Sequence, residues 1–199
     1  MIIAVIISLV LGILCGQWIL GAESIAMFSG LSDLALVILM FAVGIGVGAN
    51  KEVFSKLKQY NLKILIIPMG IILGSLMGGV VCAMLLGMSL NESVAITSGL
   101  GWYSLSGVLM TDLAGADVGT VAFLANLFRE ILAFMMIPFV AKYFNHYTAI
   151  APAAATSEDT TLPVLIKYTS EDVVVMAVIN GVVCSAMVPI LTNVFYAIL

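Results

Sequence analysis

The sequence predicts an all-α polytopic membrane protein with about five transmembrane helices and two re-entrant or broken-helix hairpins of opposite orientation. Of its 199 residues, 63% are hydrophobic and only 9% are charged, whereas a soluble domain usually has about a quarter charged residues. Several apolar runs approach the roughly 20 residues that cross a bilayer. Two further apolar segments are interrupted by Gly, Pro, Ser and Thr. A membrane-embedded chain follows from the three observations together.

Five stretches have the length and composition of full spans. They are Ile2–Leu20, Leu34–Ala49, Ile64–Leu86, Val118–Ala141 and Val173–Phe195. We interpret the first as a retained span rather than a secretion signal, because it lacks a basic n-region and the first Lys or Arg of the chain is Lys51. We therefore expect one transmembrane domain over residues 1–199, with three spans in residues 1–91.

Two segments of near-spanning length are broken. The first interrupted segment is Glu92–Asp112 and the second is Thr148–Ile166. Irregular backbone is tolerated at membrane depth only where protein or a water-filled cavity satisfies its N–H and C=O groups, so we expect re-entrant hairpins or unwound helices. Residues 92–141 would then form an outer hairpin plus a span, and residues 148–198 an inner hairpin plus a span. Inverted pairs of this kind are common in secondary transporters.

The positions of the basic residues predict the orientation. Lys and Arg near span ends stay in the cytoplasm, and five spans with two re-entrant segments keep every lysine of the connecting loops inside. The N-terminus would then be cytoplasmic and the C-terminus outside. If both interrupted segments crossed fully, Lys142 would be exported. Glycines at every fourth position, as in Gly70, Gly74 and Gly78, favour close packing of helices.

Arg129 and Glu130 place two opposite charges near the middle of the span Val118–Ala141. An ionisable side chain at this depth costs at least ~2.5 kcal/mol. Adjacent residues of a helix point about 100° apart, so each should face a different partner, and Asn126 extends the polar strip one turn before Glu130. Such charges often mark a transport pathway. The alternative is that each is held in a buried ion pair between helices.

A polar cluster occupies the middle of the second interrupted segment. Its members are Thr156, Ser157, Glu158, Asp159, Thr160 and Thr161. If the segment reaches the midplane, Asp159 approaches Glu130, and together with Arg129 the site has a surplus of one negative charge. A cationic substrate or a proton would balance that surplus, which describes an exchange of proton for cation. The alternative is an N-capping cluster in a cytoplasmic loop.

The first interrupted segment offers uncharged polar groups in GLGWYSLSG, Gly99–Gly107. The hydroxyls of Ser104 and Ser106 and the exposed backbone amides suit a substrate carboxylate. Trp102 and Tyr103 are either part of that site or anchors at the membrane interface.

Several other functions find no support in the sequence. The one histidine, His146, lies in a connecting loop and SLSG lacks the G-x-S-x-G elbow, which argues against a hydrolase. The sequence has no nucleotide-binding P-loop and no basic block that would suggest nucleic acid as a partner. The three cysteines match no metal motif. We expect no enzymatic activity, no cofactor and no metal.

Four motifs resemble the bacterial LysO lysine exporter family. They are GLGWYSLSG (99–107), NLFREILAFMMIP (126–138), ATSEDTTLPVL (155–165) and SAMVPIL (185–191). The resemblance implies export of L-lysine and close analogues across the bacterial cytoplasmic membrane by a secondary, proton-linked mechanism. By position, Glu130 and Asp159 match the family's intramembrane acidic residues. Sodium coupling remains an alternative, because unwound backbone carbonyls also hold sodium.

Two departures from the family pattern affect these expectations. Glu158 stands where relatives usually have an apolar residue. Many family members also carry further N-terminal spans, which favours a split transporter whose small membrane partner supplies them; a homodimer is the alternative. Two rival functions are a transporter of another small solute, such as an anion recruited by Arg129, and a scaffold subunit that does not transport.

Overall fold

A computed structural model describes residues 2–21 and 62–199, with the separate positions 31, 34, 38, 41, 42 and 45. The chain divides into two compact units, Met1–Ala42 and Val43–Leu199. In the first unit, helix α1 covers Ile2–Trp18, within the predicted span. The predicted span Leu34–Ala49 lies outside the described residues apart from a few positions.

Three long helices organise the second unit. They are α2, Ile66–Leu86, which follows a 3₁₀ turn over Leu62–Leu65, then α5, Ala116–Tyr143, and α8, Glu171–Ile198. Each is long and apolar enough to cross a membrane. The helical character of the described residues confirms the predicted all-α class, and the helix ends differ from the predicted span ends by two or three residues.

Both interrupted segments are broken helices. In the first, α3 (Leu90–Thr97) and α4 (Tyr103–Ala114) flank the first break, residues 98–102. In the second, α6 (Ile150–Ala153) and α7 (Leu162–Tyr168) flank the second break, residues 154–161, which begins with a 3₁₀ helix over Ala154–Glu158. Whether each segment returns to the side it entered from stays a prediction.

Glycines bring neighbouring helices into close contact. A Cβ added at Gly119 of α5 would lie 2.8 Å from Cα of Thr111 on α4, so these two helices run together without room for a side chain. A Cβ at Gly79 of α2 would lie 2.9 Å from Cα of Val94 on α3. The predicted stripe Gly70, Gly74 and Gly78 differs, because no described atom lies within 4 Å of a Cβ added there.

The two longest helices share a further feature. Helices α5 and α8 each have 28 residues and each contains an interior proline, Pro138 and Pro189 respectively. Proline has no N–H to donate and interrupts the hydrogen-bond ladder of a helix.

Candidate functional site

The first break lies against α5. The amide N–H of Gly101 donates to Oδ1 of Asn126 at 2.8 Å. Gly101 has a φ of +93°, a conformation that suits glycine. The side chain of Asn126 is 3% exposed, so the break is buried in protein, which satisfies the requirement for irregular backbone at membrane depth.

The second break lies directly on α8. A Cβ added at Gly181 would lie 2.5 Å from Cβ of Glu158, so only glycine permits this approach. Ser157, which is fully buried, donates to the carbonyl of Ala177 on α8 at 2.6 Å. Within the polar cluster of the second interrupted segment, Thr156, Ser157 and Thr161 are therefore buried in the protein.

The two breaks touch each other. The amide N–H of Ala155 in the second break donates to the carbonyl of Leu100 in the first break at 3.1 Å. A Cβ added at Gly101 would lie 3.7 Å from Cγ2 of Thr156. The structure thus brings together two segments that are more than fifty residues apart in the sequence.

Glu130 is buried beside this junction without a hydrogen-bond partner. Its side chain is 1% exposed, and within the described part of the chain neither carboxylate oxygen makes a hydrogen bond. Buried polar groups are nearly always paired, so Glu130 is an exception among the described residues.

Asp159 differs from Glu130 in its environment, because it is exposed on the surface of the described chain. Its Oδ1 accepts from the backbone N–H of Thr160 and, at 3.3 Å, from the hydroxyl of the same residue. Tyr103 is buried, and its ring packs edge-on against Phe123 at 5.4 Å. The two predicted carboxyl groups therefore differ in burial, Glu130 being buried and Asp159 exposed.

Arg129 faces away from Glu130, as their angular separation on the helix predicts. Its Nη1 donates to Oγ of Ser75 on α2 at 2.9 Å. The guanidinium group also lines a cavity of about 700 Å³ together with Ser75 and Thr97. Glu130 and Asp159 are not among the residues that line this cavity. The hydrogen bond of Arg129 is to a serine, which gives no sign of the buried ion pair weighed as the alternative.

Glu158 is held by a partner that the sequence did not suggest. Its Oε1 accepts from Oγ of Ser185 on α8 at 2.8 Å, and the residue is half-buried. The neighbouring acidic residues Glu158 and Asp159 thus differ, because the first is fixed against α8 and the second is exposed.

Most hydroxyl groups predicted to contact substrate support the breaks instead. Ser106 is fully buried and accepts from Asn126 at 3.0 Å, and Thr156 donates to the carbonyl of Ala153 at 2.9 Å. Ser104 is exposed, and Trp102 is half-buried at the start of α4. Of the predicted serines, Ser104 has the more accessible side chain.

The backbone amides of the first break are largely used. The N–H groups of Trp102 and Tyr103 donate to the carbonyls of Gly99 and Gly101, at 2.7 and 3.0 Å. Two N–H groups in the first turn of α4, those of Ser104 and Leu105, make no backbone hydrogen bond among the described residues. Of the backbone amides predicted to bind a carboxylate, these two are therefore the ones without a backbone hydrogen bond in the described part of the chain.

Sequence reasoning missed three residues that shape the site: Ser75, Asn180 and Ser185. Asn180 is fully buried on α8, and Nδ2 donates to the carbonyl of Ala154 at 2.9 Å and to Oγ of Ser157 at 3.0 Å. Its signal was available, since an asparagine inside the apolar run Val173–Phe195 needs a partner. The two serines gave no such signal. In the described residues, no group of three or more His, Cys, Asp or Glu side chains could hold a metal ion.

Comparisons with known proteins agree with the motifs. The family described as "Lysine exporter LysO" matches residues 6–196. The Escherichia coli protein named lysine exporter LysO is 37% identical over 166 residues, which is 83% of this chain and 55% of that protein. A putative lysine exporter of Haemophilus influenzae is 38% identical over 191 residues, 94% of this chain and 92% of that protein. The chain thus spans about half the length of the E. coli relative. No solved structure matches the chain.

Proposed function

Because the chain belongs to the LysO lysine exporter family, we propose that it is a secondary transporter that exports L-lysine and close analogues across the bacterial cytoplasmic membrane. The names of both relatives support lysine as the substrate. The observation that carries the proposal is the buried carboxyl group of Glu130, which makes no hydrogen bond within the described chain and lies one helical turn after Asn126, the residue bonded to the first break.

Glu130 and Asp159 exchange a proton for the lysine ammonium group in this mechanism. Burial of Glu130 disfavours its charged form unless a cation lies close by. The ammonium group binds when both are ionised, and a proton from outside takes its place when lysine leaves. Glu158 adds a third acidic group nearby, but its carboxylate already accepts from Ser185. Exposed Asp159 would receive the ammonium group first, since Glu130 is buried.

The first turn of α4 binds the α-carboxylate of lysine in this proposal. The N–H groups of Ser104 and Leu105 and the exposed hydroxyl of Ser104 supply donors at a helix N-terminus, where anions bind favourably. Lysine carries a carboxylate and an ammonium group at one end and a second ammonium group at the other, so the proposal assigns the carboxylate to the donors of α4 and an ammonium group to the acidic residues.

Counterflow of radiolabelled lysine in proteoliposomes at two external pH values tests substrate and coupling together. Glu130→Gln and Asp159→Asn should each reduce proton-coupled lysine flux by about 100-fold, because the charge that binds the ammonium group is lost. Asp117→Asn is the matched control, since this acid lies exposed in the first turn of the same helix as Glu130. Lysine-dependent proton flux that survives both substitutions contradicts the proposal. If the lysine flux depends on sodium instead of pH, the coupling ion is sodium rather than a proton.

The same assay separates the rival functions. Displacement of bound label by dicarboxylates rather than lysine would favour an anion transporter built around Arg129, whose guanidinium lines the cavity beside α2. Transport by the purified chain alone would exclude the hypothesis that it is a scaffold subunit, and it would show that no small companion subunit is needed. If lysine flux instead requires a companion subunit that supplies further spans, the protein is a split transporter. A separate experiment tests the orientation: a tag at the N-terminus should be accessible only from the cytoplasm, and a tag at the C-terminus only from outside.

A further inference from the structure

The two breaks are built on the same plan. Among the described residues, Leu100 and Ala154 are the non-glycine residues with positive φ, 49° and 48°, and both are fully buried. An L-residue adopts this conformation only when its surroundings hold it there. The spacing along the chain from Leu100 to Ala154 equals that from Asn126 to Asn180. One asparagine therefore accompanies each left-handed residue, at the same position relative to it.

Asn126 uses its whole amide group to hold the first break. Its Oδ1 accepts from the N–H of Gly101, next to Leu100, and its Nδ2 donates to the carbonyl of Ile96 at 2.9 Å and to Oγ of Ser106 at 3.0 Å. These bonds join the end of α3, the turn and the start of α4. The amide group of Asn126 is thus engaged on both its oxygen and its nitrogen by the first break and the helices beside it.

Asn180 does the same for the second break. Its Nδ2 donates to the carbonyl of Ala154, the left-handed residue itself, and to Oγ of Ser157. Its Oδ1 accepts from Sγ of Cys184 at 3.7 Å. Each asparagine thus bonds to a backbone group at the left-handed turn and to a serine hydroxyl that follows it.

We propose that Asn126 and Asn180 are equivalent positioning residues, which fix the two breaks so that the carbonyl of Leu100 meets the amide of Ala155. The proposal rests on the proposed function for its effect on transport. Glu130 lies one turn after Asn126 on α5, so the helix that carries the buried carboxyl group also holds the first break. Asn180 acts on the segment that carries Asp159.

Cross-linking of the two breaks tests the geometric part of the proposal. In a chain with its three cysteines replaced by serine, Leu100→Cys and Ala155→Cys introduce a pair whose direct backbone hydrogen bond should bring their Cα atoms to roughly the 4.4–6.8 Å of disulfides. Asn126→Ala and Asn180→Ala should each slow oxidation of this pair about tenfold, because a buried turn loses its hydrogen bonds. Asn193→Ala is the control, since this exposed asparagine of α8 donates only within its own helix, to the carbonyl of Pro189.

Lysine counterflow tests the functional part. In the folded, monodisperse fraction, both alanine variants should raise the half-saturating lysine concentration about tenfold. A residue that only stabilises the fold would lower the yield and leave that concentration and the cross-linking rate unchanged, which would overturn the proposal. Where an alanine variant does not fold, Asn126→Asp and Asn180→Asp replace it, because aspartate keeps the shape and loses the donated bonds. If the unmodified chain moves no lysine, either alone or together with a companion subunit, yet cross-linking still depends on both asparagines, the proposed function fails and the positioning role stands.

Discussion

Replacing Glu130 by glutamine distinguishes a carboxyl group that serves transport from one that holds helices together. If Glu130 were half of a buried ion pair, removal of its charge would cost about 3–5 kcal/mol. For a chain of this size, 1 kcal/mol corresponds to a shift of roughly 2–4 °C in Tm. A buried ion pair at Glu130 therefore predicts that the substitution lowers Tm by about 6–20 °C. The structure shows no hydrogen-bond partner for either oxygen in the described residues. A buried carboxylate without a partner costs more than the neutral amide that replaces it, so Glu130→Gln should leave Tm unchanged or raise it.

Thermal unfolding in detergent at pH 8 without lysine measures this difference. Asp117→Asn provides the control, because an exposed acid in the first turn of the same helix contributes less than about 1 kcal/mol. A Glu130→Gln protein that transports no lysine yet is at least as stable as the unmodified chain has lost function without losing structure. A fall in Tm of more than about 6 °C would refute the reasoning and make Glu130 a structural residue.

Three further predictions concern the packing around the site. Gly181→Ala should lower the free energy of unfolding by about 1–3 kcal/mol, because the added methyl group meets Glu158 at 2.5 Å; an unchanged Tm would contradict the close contact. Ser75→Ala should cost about 1–3 kcal/mol in the same assay, since the guanidinium of Arg129 loses its acceptor, whereas no loss would mean that another acceptor takes over. Buried Cys184 should resist N-ethylmaleimide in the native protein and react after addition of SDS, with the other two cysteines replaced by serine; rapid native labelling would argue against its burial.

Apolar periodicity and helix-breaking residues were enough to predict much of the fold. The spans ending near Leu86, Ala141 and Phe195 correspond to α2, α5 and α8 within a few residues, because about 20 apolar residues leave few alternatives to a helix in lipid. The breaks were also predictable, since Gly, Pro, Ser and Thr concentrate there. The predicted glycine stripe was less informative, because the glycine of α2 that meets α3 is Gly79.

Partners could not be predicted from one sequence. The charges of Arg129 and Glu130 indicated that each side chain needs its own partner. However, Ser75 lies 54 positions from Arg129 in the chain, and nothing in the sequence links Ser75 to Arg129. The same holds for Ser185 and Glu158, which are 27 positions apart. Asn126 was assigned to substrate contact on its type and depth alone. Only the fold shows that its amide group bonds the first break, at Gly101, Ile96 and Ser106.

The prolines inside the two longest helices have a mechanical consequence. Pro138 and Pro189 each lie beyond the asparagine of their helix, and each leaves the carbonyl four residues earlier without its usual donor. A helix that lacks one rung of its ladder bends most easily at that rung. In each helix the position that bends most easily is therefore separated along the chain from the asparagine that holds the break.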